Sequence, residues 1–185
     1  INNLRLMAGE IGPPKPGEVL VKVSHSGLNL ADVFACLGLY SATPKGGFTP
    51  GLEFAGIVEE IGPVPAKKSP KPAGLAKATG SAQTAKFKVG DAVWGFSRFG
   101  AYTSHINTDS RYIQKIPKGW SLAEAASFGV QALTAWYGLI ELGQLKAGQT
   151  VLVQSAAGGV GLHALQILQS KKARAVAVVG RVSKA

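Results

Sequence analysis

Alternation of apolar and polar side chains first appears at Glu18-Val-Leu-Val-Lys-Val23, which predicts a β-strand entered from the turn-forming Pro13-Pro-Lys-Pro-Gly17. Residues 29–37 switch to helical spacing, with Leu30, Val33, Phe34 and Leu37 on one face. A second strand is predicted over 55–61, where Gly56 allows close backbone approach. A Gly90-Asp91 turn within 87–95 feeds a third, and short strands around 101–106 and 112–115 complete a β-rich, loop-rich first part. Ser121 with Glu124 three residues on signals a helix start, and helical sequence continues over 132–142. The pattern then changes to a buried strand at 148–154, a glycine turn at 155–161, a helix at 162–170 and an apolar strand at 175–179. That is one βαβ unit, expected to be parallel and right-handed. No internal repeat is present.

Residues 63–86 fit neither pattern. Pro, Ala, Lys, Ser, Gly and Thr dominate there, and Leu75 is the only large aliphatic side chain. Such a stretch buries too little apolar area to offset its ordering, so it is expected to be a disordered insertion in a surface loop. Over all 185 residues, 46% are hydrophobic and 16% charged, which excludes disorder of the whole chain and allows a sizeable core. No apolar run approaches the roughly 20 residues of a membrane helix, and no targeting pattern opens the chain. The single cysteine, Cys36, excludes an internal disulfide framework and a multi-cysteine zinc lobe. A soluble, cytoplasmic protein without membrane insertion is expected.

The net charge of +10 is local. Residues 61–90 carry six lysines and no acid other than Asp91 just beyond them, and residues 142–185 carry four lysines, two arginines and no acid. The first block lacks the interleaved aromatics of a nucleic-acid surface, and the second coincides with a phosphate-binding pattern. Nucleic acid is therefore not expected as a partner.

That pattern is Val151-Leu-Val-Gln-Ser-Ala-Ala-Gly-Gly-Val-Gly161. Gly158, Gly159 and Gly161, with Ser155, Ala157 and Val160, form a sharp turn between strand and helix. Unpaired N–H groups and the positive end of the helix then point at the turn, a geometry that suits a pyrophosphate. No Lys-Ser/Thr follows the last glycine, so it is not a Walker A loop. An acid some 20 residues on would grip the ribose 2′-hydroxyl of NAD, but none occurs after Glu141. The second strand leads instead into Gly180-Arg-Val-Ser-Lys184, where Arg181, Ser183 and Lys184 suit a 2′-phosphate. The expected cofactor is NADP(H).

With these residues in view, the chain resembles the zinc-free, quinone oxidoreductase-like branch of the medium-chain dehydrogenase/reductases. The resemblance rests on Gly17-Glu-Val-Leu-Val-Lys-Val23, Gly27-Leu-Asn-Leu-Ala-Asp32, Pro50-Gly-Leu-Glu-Phe-Ala-Gly56, Lys88-Val-Gly-Asp-Ala-Val93, Leu133-Thr-Ala-Trp-Tyr137 and Ala156-Ala-Gly-Gly-Val-Gly161, in the family's order. It implies α/β plus β architecture: a GroES-like β-rich catalytic domain over 1–127, then the first βαβ unit of a doubly wound Rossmann domain over 128–185. Zinc-dependent members have Cys at the position of Asn29 and His at that of Leu52, so no metal site is expected. The branch's first motif glycine is Ser155 here. Since a dinucleotide fold has two halves, the chain is expected to be an inactive piece of a longer protein lacking much of that domain.

By the same resemblance, Asn29 and Tyr40 line the nicotinamide and substrate side of the cleft as candidate catalytic residues. Asn29 and Thr134 lie near the nicotinamide, and Gly180 and Lys184 handle the 2′-phosphate. Glu53 is implied to anchor its loop, and His25, His105 and His163 are expected to be structural or exposed. The implied activity is hydride transfer from NADPH to a small-molecule quinone or α,β-unsaturated carbonyl. An enoyl reductase, free-standing or within a polyketide synthase, shares the glycine motif, and a non-catalytic relative could keep the fold. A homodimer is compatible with the full-length protein.

Overall fold

The computed structural model describes residues 4–63, 86–181 and 183. The expected insertion and Lys184 therefore fall wholly or mostly outside the described residues. The chain divides into two compact units, Ile1–Ser127 and Phe128–Ala185.

In the first unit, β1 (Glu18–Ser26), β2 (Glu53–Ile61), β3 (Ala92–Phe96), β4 (His105–Asp109) and β5 (Ile113–Lys115) form one antiparallel sheet in the order β4-β1-β2-β3-β5. Val19, Val21, Phe54, Val58 and Val93 are fully buried and, with Ile106 and Ile113, make the core. In β1 and β2 the expected alternation is broken by register shifts at Leu20/Val21 and Val23/His25, which re-aim the side chains beyond them. Gly56 sits where the strands crowd: a Cβ there would lie 2.0 Å from the Lys22 carbonyl oxygen.

Three expectations are corrected. Helix α1 (Leu30–Cys36) forms, but Leu30, Phe34 and Leu37 face outward, 67%, 42% and 50% exposed, while Asp32 and Ala35 are buried. The inner side of this helix is occupied by a polar network centred on Asp32. Phe87 is buried in the core, yet its strand starts only at Ala92, because Lys88 N–H donates to the Asp91 carboxylate at 2.9 Å and closes a turn. The strand expected from 101 starts at His105, since Ala101 and Tyr102 N–H bond instead to the Gly51 and Pro50 carbonyls. Helix α2 (Leu122–Ala126) opens with a reciprocal cap: Glu124 N–H donates to Ser121 Oγ at 3.2 Å and Ser121 N–H to Glu124 Oε2 at 2.7 Å.

The second unit runs through α3 (Gly129–Trp136), a π-helical continuation (Tyr137–Leu142), β6 (Thr150–Val153), α4 (Gly159–Ser170) and β7 (Arg174–Ala177). β6 and β7 are parallel, from Thr150↔Arg174 to Val153↔Ala177. Beyond the ladder, Val178 N–H donates to the Val153 carbonyl at 2.9 Å and Ala156 N–H to the Val178 carbonyl at 3.0 Å, so the second strand directly braces the turn after β6. Ala135, Val153, Ala156, Ala164 and Leu168 form the buried cluster. α4 starts at Gly159, ahead of the expected residue 162, because Leu162 N–H already reaches the Gly158 carbonyl at 2.8 Å.

Candidate functional site

In the first unit the structure brings Asn29, Asp32, Glu53 and Tyr102 together. Asn29 is the N-cap of α1, and its N–H donates to Asp32 Oδ2 at 2.9 Å. Its side-chain Nδ2 donates to Glu53 Oε1 at 2.8 Å, across 24 residues of sequence. Tyr102 OH donates to the same Asp32 oxygen at 3.1 Å. Burial, followed by the Asp32 charge, holds the Tyr102 phenol well above its ordinary range, so it acts as a donor. Asn29, Asp32 and Glu53 are 9%, 2% and 1% exposed, and Asp32 Oδ1 is buried with no partner.

Two motif glycines make room for this cluster. A Cβ on Gly27 would lie 2.4 Å from Glu53 Oε1 and from the Ala126 carbonyl. Gly51 has φ +102 and a Cβ there would meet Tyr102 N at 2.6 Å, so both conformation and space require glycine. Tyr40 is not in the cluster; its ring meets Phe99 edge-on with centroids 6.5 Å apart, and Phe99 in turn meets Phe48 at 5.2 Å.

In the second unit the glycine turn leads into α4. Gly158 is the extended N-cap, and its N–H returns to the Ser155 carbonyl at 2.8 Å. A Cβ on Gly161 would stand 2.4 Å from the Ser155 carbonyl oxygen and 2.7 Å from Ala156 Cα, so glycine is what lets the helix close onto the turn. Ser155 itself has φ +52, a left-handed conformation that glycine adopts without cost. The first turn of α4 carries no acid, leaving its positive end uncompensated. Thus Ser155, Ala157, Gly158, Gly159, Val160 and Gly161 form one small, donor-rich turn that suits a phosphate group.

Thr134 lies on α3, where its Oγ1 donates to the Val130 carbonyl at 2.6 Å. It lines an open groove of about 610 Å³ with Leu133, Trp136, Tyr137, Gly138 and Leu142. Gly180, Arg181 and Ser183 lie beyond β7. Three contributors escaped the sequence reading. Tyr102 carries no spacing signal and reaches Asp32 only through the fold, 70 residues apart. The grip of Glu53 on Asn29 is equally long-range. Gln131 packs over the start of α4, since a Cβ on Gly159 would meet its Oε1; its i, i+3 spacing from Thr134 was the available signal. His163 meets Phe128 edge-on with centroids 5.1 Å apart, and burial lowers its pKa.

Residues 15–118 match the family described as the alcohol dehydrogenase GroES-like domain. The chain is 34% identical over 180 residues to the mycocerosic acid synthase-like polyketide synthase of Mycobacterium tuberculosis, covering 97% of this chain and 8% of that protein. Its fold is similar to that of the CurK enoyl reductase, with TM-score 0.80 and 31% identity over 99% of this chain and 52% of that one. It is also similar to the Escherichia coli quinone oxidoreductase complexed with NADPH, with TM-score 0.75 and 28% identity over 97% of this chain and 49% of that one. The chain thus spans about half of these solved structures and a small part of the polyketide synthase. Among the described residues no helix is long and apolar enough to cross a membrane.

Proposed function

Because the chain belongs to the alcohol dehydrogenase GroES-like domain family, within the medium-chain dehydrogenase/reductase superfamily, we propose that it is part of a zinc-independent, NADPH-dependent reductase of quinones or α,β-unsaturated carbonyls. The observation that carries this reading is the turn at 155–161: glycine is sterically enforced at Gly161, and an acid-free helix start succeeds it. These backbone N–H groups would hold the pyrophosphate, and Arg181, Ser183 and Lys184 would hold the 2′-phosphate. NADPH, when bound, supplies the hydride. Asn29 and Tyr40 would orient the acceptor, and Thr134 would pack near the nicotinamide.

Zinc independence rests on residue chemistry. Asn29 and Leu52 offer an amide and an alkyl group, neither of which replaces a thiolate or an imidazole as a zinc ligand. The likeness to a polyketide synthase and to an enoyl reductase favours one acceptor within this class, an enoyl thioester. In that case hydride goes to the β-carbon and a proton to the α-carbon. We propose a non-membrane, small-molecule reductase in either case.

The test is titration of the complete parent protein with NADPH and NADH, then turnover with quinones and enoyl thioesters. Tight NADPH and weak NADH binding is expected. Binding of neither cofactor would remove the reductase reading.

A further inference from the structure

The buried cluster around Asn29 is costly for a loop anchor. It places two carboxyl groups, an amide and a phenol in the interior, and leaves Asp32 Oδ1 with no partner. Apolar residues of similar size would hold two loops together as well or better. Each partner nevertheless converges on one residue. Glu53 accepts from the Asn29 side chain, Asp32 accepts from the Asn29 backbone, and Tyr102 steadies Asp32 from the far side. Gly27 and Gly51 are shaped around the two outer members.

We propose that Glu53 is a positioning residue that fixes which end of the Asn29 carboxamide faces a ligand. A carboxylate can only accept hydrogen bonds, so it selects the NH2 end of the amide and turns the carbonyl oxygen away from itself. The 2.8 Å contact holds one rotamer, and the Asp32 contact to Asn29 N–H holds the backbone beneath it. What Asn29 then presents at its small exposed window is set from behind. This explains why an asparagine suits the position: an aspartate would set two carboxylates against each other, and a leucine would leave Glu53 without this donor. The inference rests on the proposed function, in which Asn29 lines the nicotinamide and acceptor side.

The experiment uses the complete chain labelled with 15N, in native form and as Glu53→Gln and Glu53→Asp. Glu53→Gln keeps the shape and removes the acceptor-only character, and Glu53→Asp keeps the charge and withdraws the acceptor by one methylene. The Asn29 side-chain NH2 pair is expected to exchange slowly with solvent in the native chain, and to shift and exchange about tenfold faster in Glu53→Gln. Fast exchange in the native chain, which needs no variant to fold, overturns the proposal. NADPH affinity in the parent protein is then measured in a double-mutant cycle with Asn29→Ala. Glu53→Gln should weaken NADPH binding on the order of tenfold in the native background and hardly at all with Asn29→Ala. An equal loss in both backgrounds would mean that Glu53 acts only structurally. If the native protein binds no NADPH, the reductase reading falls, while the NH2 resonances still decide whether Glu53 orients Asn29.

Discussion

The two units solve the problem of backbone pairing in different ways. In the first, five antiparallel strands bury one face completely and leave the other to polar side chains such as Lys22, Glu59 and His105, which meet in ion pairs of 3.7 and 3.1 Å. In the second, two parallel strands carry apolar residues on both faces, and β7 is exposed along its whole length, with Val176 49% exposed. Parallel strands are characteristically covered on both faces. The first unit therefore carries its own core, whereas β7 presents apolar surface that its own unit does not cover.

Separating the units is the strongest way to break this comparison. Residues 1–127 expressed alone should unfold cooperatively, and residues 128–185 alone should show no cooperative transition by circular dichroism. Cooperative unfolding of the second piece would remove the contrast. Within the intact chain, Phe54→Ala should cost about 3–5 kcal/mol in urea melts, since the ring is fully buried. Val176→Ala should cost under about 0.5 kcal/mol, because half the side chain is in solvent; a larger loss would show that β7 is covered in solution.

Acid separates the units further. In the first, hydrogen bonds from Lys115 to Asp91 and from Arg111 to Asp109 lower both carboxyl pKa values. The folded state therefore holds these protons less well than the unfolded chain, and stability falls as pH drops through about 4 and below. In the second, burial lowers the His163 pKa, so the unfolded imidazole takes up a proton first, and stability falls as pH drops below about 6.5. Thermal melts of His163→Gln should lose the slope between about pH 7 and 5 while keeping the steeper acid limb. Retention of the slope would assign it elsewhere. The smallest effect is expected at Ser155. Ser155→Gly relieves a left-handed φ of +52 and should raise stability by up to about 1 kcal/mol, read from the same melts.

What the sequence made legible was local. The strand at Glu18, the cap at Ser121 and the glycine turn before α4 are written in contiguous residues whose own backbone chemistry dictates them. The inward face of α1 was not legible, because periodicity counts apolar residues and the buried side holds Asp32. The positive φ of Ser155 was hidden too, since a serine there spells a tolerated glycine position only once the turn is built. The cluster around Asn29 depends on contacts 24 and 70 residues apart, set by register between strands and loops.

The π-helical turn over Tyr137–Leu142 has a consequence for insertions and deletions. Gly143 N–H reaches back five residues to the Gly138 carbonyl at 2.9 Å, and a Cβ on Gly143 would itself crowd that oxygen at 2.9 Å. Such a turn holds one residue more than an α-helical turn. Removing one residue from it would restore α-helical winding and rotate the downstream chain by roughly 100°, carrying Leu145 off the cluster it now packs against. Lineages of this sequence are thus expected to keep the length of this segment more strictly than the identity of its exposed side chains.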